Sequence, residues 1–213
     1  MKAPPSPALG PAPAGQLDLF GAADPPLLQV KPLPPVAGLR LETDIIDPRT
    51  EATLLRRIDA TPWTHEYARR RQHYGVDYRR PSDPAARPLA LPGWLDEVID
   101  LLSARRLFRT KPRACLINEY LPGQGIAPHV DRPDAGAIVA SLTLGGGCMM
   151  DLVPVASDAA SEHIWLAPRS VLVLTGTARH QWKHGIARRK ADVVAGRRVA
   201  RRRRVSITFR ADD

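Results

Sequence analysis

Two kinds of hydrophobic spacing follow one another along this chain. Over residues 50–59 the apolar side chains Leu54, Leu55 and Ile58 recur at the helical period, with Thr50 placed as N-cap, Glu51 in the first turn and Pro62 beyond the end. Residues 92–105 predict a second helix, with Pro92 in its first turn and Trp94, Leu95, Val98, Leu101 and Leu102 turned inward. Past Lys111 the helical period is lost. Residues 114–121, 126–130, 138–144, 148–153, 163–166, 170–175 and 205–210 read as short strands separated by turns that carry Gly and Pro. Two helices followed by many short strands predict an α+β, mainly β domain built as a sandwich or jelly-roll barrel. The intervening stretch 67–80 is polar, basic and aromatic, and is expected to be a hairpin or loop.

The N-terminal stretch breaks this pattern. Ten of the 22 prolines precede Val36, in a Pro/Ala-rich segment with too few apolar anchors for a core. Residues 1–35 are therefore expected to be a flexible arm and 36–213 a single domain. One apolar island, Gln16-Leu17-Asp18-Leu19-Phe20, stands out within the arm. With 213 residues, 44% apolar and 25% charged, the chain is long enough for one substantial core. No apolar run approaches the ~20 residues that span a bilayer. The proline-broken N-terminus also lacks the apolar stretch of a secretory signal. Cys115 and Cys148 sit in apolar runs and form neither a disulfide framework nor a zinc spacing; buried thiols in a reducing cytoplasm are expected.

Charge changes the picture further. The net charge is +9, yet nine Lys/Arg and the single acid Asp192 between Arg188 and Arg204 account for +8 of it. Such a block is either a solvated loop or a footprint for phosphates.

Two clusters could carry chemistry. His129 and Asp131 are two apart, so in a strand both reach one face. A second imidazole, from His180 or His184, would complete a two-histidine, one-carboxylate set that leaves positions open on non-haem Fe(II). At the C-terminal end, Val205, Ile207 and Phe209 alternate with Arg204, Ser206, Thr208 and Arg210. If the polar face points inward, two guanidinium groups there require anionic partners, which a dicarboxylate would supply. If it points outward, they are merely solvated. Asn118 and Tyr120 repeat the same parity one strand earlier.

Taken together, Asn118-x-Tyr120-x-x-Gly123, His129-x-Asp131, His184-Gly185-Ile186 and Arg204 through Arg210 resemble the core of the AlkB family of Fe(II)- and 2-oxoglutarate-dependent dioxygenases, in order and with similar spacing. The resemblance spans 63–210 and implies a double-stranded β-helix (jelly-roll) barrel with two supporting helices. It also implies Fe(II) held by His129, Asp131 and His184. Arg204 and Tyr120 would hold the distal carboxylate of 2-oxoglutarate, and Asn118 and Arg210 would act at its metal-chelating end. Ser206 stands where the family often has Asn. The implied reaction consumes O2 and 2-oxoglutarate, releases succinate and CO2, and removes an N-methyl group as formaldehyde.

The implied substrate is alkylated DNA, acted on by a monomer in the cytoplasm beside the nucleoid; RNA or a protein side chain is the alternative with the same chemistry. A non-catalytic binder that uses only the basic block is the third reading, against which the complete residue set argues. Arg71, His73, Tyr74 and Tyr78 resemble the family's substrate-side loop, where aromatic rings stack on an extruded base. Base-demethylating members commonly carry an acid two positions after the metal Asp; here that position is Pro133, with Asp134 beside it. Gln16, Leu17, Asp18, Leu19 and Phe20 resemble the pentapeptide by which bacterial repair proteins dock on the replicative sliding clamp, a partner expected here through the arm.

Overall fold

A computed structural model describes residues 32–65, 68–76, 90–108, 110–156 and 160–212. The apolar island at 16–20 and Tyr78 lie outside the described residues, as does nearly all of the arm. Two helices precede the barrel, as the periodicity predicts. The first, α1, spans Pro48–Asp59. Its cap is Asp47 rather than Thr50: the Asp47 carboxylate accepts from the Arg49 and Thr50 N–H groups at 2.7 and 2.8 Å. Pro48 occupies the first helical position, where its missing N–H costs nothing. Leu54 and Ile58 are buried. The second, α2 (Asp96–Ala104), follows a 3-10 turn at Gly93–Leu95.

The strands are β1 (Leu39–Glu42), β2 (Arg71–Gly75), β3 (Ala114–Tyr120), β4 (Ile126–His129), β5 (Ile138–Gly145), β6 (Cys148–Pro154), β7 (Glu162–Leu166), β8 (Val171–Leu174), β9 (Trp182–Ile186), β10 (Ala191–Val194), β11 (Arg197–Ala200) and β12 (Arg204–Ala211), with a short helix α3 at Gly176–His180. They form an antiparallel six-stranded sheet in the order β1-β8-β5-β12-β3-β2, a four-stranded sheet β4-β9-β6-β7 and the hairpin β10-β11. From β3 onward the chain passes back and forth between the two larger sheets, which makes the fold a double-stranded β-helix.

Strand parity divides the apolar residues into two layers. Ala140, Leu142, Leu144, Val171, Val173, Val205, Ile207 and Phe209 pack on the outer face of the large sheet against α1 and α2. Their alternates, including Val139, Leu172 and Leu174, face the four-stranded sheet and pack with Cys148, Met150, Leu152, Ile164 and Leu166. Cys115 and Cys148 are buried free thiols.

Several expectations needed correction. β1, β9, β10 and β11 were not anticipated, and 67–80 contributes an edge strand of the large sheet over Arg71–Gly75. The basic block becomes a hairpin whose Ala195-Gly196 turn has positive φ at both positions (49° and 76°), the conformation a two-residue hairpin turn demands. Among the described residues no helix is long and apolar enough to cross a membrane.

Candidate active site

The space between the two sheets holds a pocket lined by β3, β5, β8 and β12 on one side and by β4, β6 and β9 on the other. β4 stops at His129, whose register partner on β9 is His184, and Asp131 follows just beyond the strand. The ligand atoms that His129, Asp131 and His184 can offer all lie within 4.8 Å of one another. The two imidazole rings are 4.5 Å apart between centres, and His129 Nε2 lies 3.5 Å from Asp131 Oδ1. His129 Nδ1 donates to the Ala127 carbonyl at 2.9 Å, which fixes the ring and leaves Nε2 as the free lone pair. His180, the other candidate, is exposed at the end of α3, so the choice left open by spacing falls on His184.

The electrostatics fit a cation. Burial pushes His184 down to about 4, which keeps its imidazole neutral and able to ligate; its Nδ1 is buried without a hydrogen-bond partner. The hydrogen bond with Asp131 raises His129. Burial acts to raise the Asp131 carboxyl, but His129 and the Arg210 guanidinium outweigh it and hold the group well below the usual carboxylate range. With Nδ1–H turned to the Ala127 carbonyl, His129 Nε2 and the Asp131 carboxylate thus face one another, 3.5 Å apart, across the place a divalent ion would take.

Around this cluster β3 and β12 supply a polar wall. Asn118 and Tyr120 pair in register with Ser206 and Arg204, and all four line the pocket. Arg204 is 3% exposed, donates to Thr143 Oγ1 at 2.9 Å and lies 5.3 Å from the centre of the Tyr120 ring. Its Nε has no hydrogen-bond partner, and no described acid forms an ion pair with it. Arg210 donates to Asp131 Oδ2 at 3.3 Å, and its Nε is likewise unpartnered. The polar face of β12 therefore points inward, and it ends the ambiguity of its alternation. Buried guanidinium N–H groups that point into a cavity without an acceptor are suited to a carboxylate ligand.

Two arginines, one behind the pocket and one on its lining, were not singled out as site residues from the sequence. Arg179, 1% exposed, donates to the carbonyls of Asp131 and Arg132 at 2.9 and 2.6 Å and so fixes the backbone that presents the carboxylate. Arg69 lines the pocket, with Nε 3.3 Å from Asn118 Oδ1 and its guanidinium 5.7 Å from the Tyr120 ring centre. Neither carries a local signal, because their partners are distant in sequence.

The substrate-side candidates separate. Arg71 and His73 pair with Asn118 and Leu116 and share their sheet face, at the edge next to the pocket. Tyr74 points the other way: it packs in the helix-side core, edge-on to Trp94 with ring centres 6.4 Å apart, and is not placed to stack on a base. Asp134 is exposed, gripped by Arg132 at 2.8 and 3.0 Å, and outside the pocket lining.

This barrel, with its histidine–carboxylate cluster beside unpaired guanidinium groups, is that of an iron(II)- and 2-oxoglutarate-dependent oxygenase, and the 2OG-Fe(II) oxygenase superfamily matches residues 38–210. An uncharacterized protein of Acanthamoeba polyphaga mimivirus, L905, is 35% identical over 81% of this chain and 84% of its own length. Human alpha-ketoglutarate-dependent dioxygenase alkB homolog 4 is 32% identical over 83% of this chain and 67% of its own. A solved structure of OsALKBH1 superposes with a TM-score of 0.58 at 19% identity, covering 81% of this chain and 97% of that one. The chain belongs to the AlkB family, and it is a 2-oxoglutarate-dependent dioxygenase that uses Fe(II), 2-oxoglutarate and O2. It spans only about a quarter (27%) of the Xenopus tropicalis relative named tRNA (carboxymethyluridine(34)-5-O)-methyltransferase alkbh8, to which it is 34% identical.

Proposed function

We propose that this protein oxidatively demethylates an N-alkylated nucleic-acid base, in DNA as the first choice, with His129, Asp131 and His184 as iron ligands. Arg204 and Tyr120, with Ser206 beside them, would seat the distal carboxylate of 2-oxoglutarate, while Asn118 and Arg210 lie towards the metal. The observation that carries the reading is Arg204, a buried guanidinium without an acid, opening on the same pocket as the three ligand groups.

Iron(II), when bound, supplies the activation of O2 coupled to decarboxylation of the co-substrate. The chain's own residues do the rest. Arg179 and Arg210 hold Asp131 in place and charged, and Leu172, Leu174, Ile126 and Ile186 keep bulk water from the reacting atoms. One oxygen atom of O2 ends in succinate and the other in the N-methyl group. The resulting hydroxymethyl leaves as formaldehyde, and a proton returns to the nitrogen.

Nucleic acid is favoured by Arg188, Lys190, Arg197 and Arg198, exposed on and beside the β10-β11 hairpin and available to phosphates. DNA is favoured by the 16–20 pentapeptide with its likeness to a clamp-docking motif, and a cytoplasmic site of action at the nucleoid follows. Clamp capture that survives Leu19→Ala together with Phe20→Ala would remove that support. RNA is the second reading, favoured by the tRNA-acting name of the alkbh8 relative.

The test is formaldehyde release by Fe(II)-loaded enzyme with 2-oxoglutarate, comparing methylated single-stranded DNA with the same sequence as RNA. Release that vanishes in His184→Ala supports the reading. Co-substrate turnover with no demethylation of either polymer rejects the base substrate and leaves the oxygenase chemistry standing.

A further inference from the structure

We propose that the pocket selects an uncharged alkylated base over a cationic one, and that Arg69 imposes the choice; this rests on the base-demethylase reading above. Methylation of a ring nitrogen yields two kinds of base. 3-Methylcytosine and 1-methyladenine are cationic at neutral pH, because the methyl group takes up a ring lone pair. 3-Methylthymine and 1-methylguanine, whose ring nitrogen had carried a proton, stay neutral. A pocket suited to the first kind offers a carboxylate to the base, whereas one that presents an uncompensated guanidinium disfavours it.

Among the described residues that line the pocket, Arg69, Arg204 and Arg210 face a single carboxylate, Asp131. Arg210 contacts Asp131, and Arg204 is positioned for the co-substrate, but Arg69 has no such counter-charge among the described residues. Its one hydrogen bond goes to a neutral acceptor, Asn118 Oδ1 at 3.3 Å, and no described acid forms an ion pair with it. It is half-buried, so solvent screens its charge only in part. Among the described residues no second carboxylate lines the pocket to balance it. Pro133 occupies the position two after Asp131, and the Asp134 carboxylate is turned to Arg132 outside the pocket. The guanidinium lies over the Tyr120 ring opposite the neutral groups of β3, on the side where Arg71 and His73 edge the sheet. Among the described residues, Arg69 is the charge left there for an arriving base to meet.

Two single-stranded oligonucleotides that differ in one base, 3-methylthymine or 3-methylcytosine, test this: the two share the N3-methyl position and differ in charge, in the group at C4 and in the C5 methyl, and the Arg69 series isolates the charge. Formaldehyde release by the holoenzyme in air and oligonucleotide affinity of the anaerobic holoenzyme, read by fluorescence anisotropy, are measured side by side. Both should favour 3-methylthymine by about tenfold. Arg69→Lys should keep the preference, Arg69→Gln should level it, and Arg69→Glu should reverse it. A preference for 3-methylcytosine, or a ratio that Arg69→Glu leaves unchanged, overturns the proposal. RNA oligonucleotides with 3-methyluridine and 3-methylcytidine repeat the comparison for the other polymer. If no base is oxidised while 2-oxoglutarate turns over, the base-demethylase reading fails by itself. The anaerobic affinities then decide: a charge-dependent split that moves with Arg69→Glu supports charge selection, and equal affinities reject it.

Discussion

Arg203 and Arg204 are neighbours in the chain and opposites in their surroundings. Arg203 faces outward and donates to Glu119 at 2.7 Å and to Asp59, while Glu119 also takes a two-pronged bond from Arg70. Two residues earlier, Arg201 is buried against Asp192 with bonds of 2.7 and 2.8 Å, and it adds a bond to the Ala187 carbonyl. Arg204 begins β12, points into the barrel and, among the described residues, finds a threonine hydroxyl and an aromatic face but no acid. The paired arginines hold loops and hairpin to the barrel. The unpaired one marks where an anion is received. Basic residues that look like a single block in the chain therefore divide into structural and binding groups, and only their partners tell them apart.

Mutating one residue from each group should separate these roles. Arg201→Ala strips the buried Asp192 of a two-pronged partner, leaving Arg189 at 2.7 Å as its remaining counter-charge, and should cost about 1–3 kcal/mol of stability, read from urea unfolding, while turnover per folded molecule is retained. Lost turnover with unchanged stability would reverse the assignment of this pair. Arg204→Ala should show the opposite signature: unfolding unchanged, and the KM for 2-oxoglutarate raised by an amount equivalent to about 2–5 kcal/mol in succinate assays. Equal KM values would exclude Arg204 as the carboxylate anchor.

A pH series sharpens the same contrast. The Arg70 hydrogen bond holds Glu119 below its ordinary value, and at Asp192 burial acts upward but is outweighed by the Arg201 and Met149 N–H bonds together with the Arg201 and Arg189 charges. Their stabilisation is therefore complete above the ordinary carboxylate range and is lost as pH falls below about 4, through the lowered folded-state values. Urea midpoints at descending pH should show this slope, reduced in Arg201→Ala. The smallest effect belongs to exposed cations. Arg197→Ala and Arg198→Ala should leave stability unchanged and lower the salt dependence of nucleic-acid binding, by a slope of about 1 for each lost phosphate contact.

Much of the barrel was legible because its strands have one face in each of two apolar layers. β12 shows this best: Val205, Ile207 and Phe209 announce one layer, and the polar alternates announce a second face, though not whether that face is wet. β9 was missed because Trp182-Lys183-His184-Gly185-Ile186 mixes charge and glycine in a strand whose pairing with β4 and β6, not its own alternation, holds it in place. Thr50 seemed a suitable cap, but Asp47 followed by Pro48 starts the helix earlier. Tyr74 looked like a stacking surface in a polar stretch, yet strand parity turns it to Trp94 with Gln72 on its hydroxyl. Arg69 and Arg179 act on residues 49 and 48 positions away, a relation no local pattern encodes.

The division of labour between the two sheets has a mechanical consequence. The proposed metal ligands sit on or just beyond strands of the four-stranded sheet, whereas the groups proposed to seat the co-substrate come from β3 and β12 of the six-stranded sheet. A dicarboxylate that chelates the metal at one end and meets Arg204 at the other would tie one sheet to the other, as a removable cross-link. Metal and dicarboxylate would then each tighten the other's binding, and together raise the melting temperature by more than the sum of their separate effects. Decarboxylation would leave succinate, still a dicarboxylate but with one metal-binding group fewer, so that tie would be tighter before the chemistry than after it, and would be gone only when the product departs.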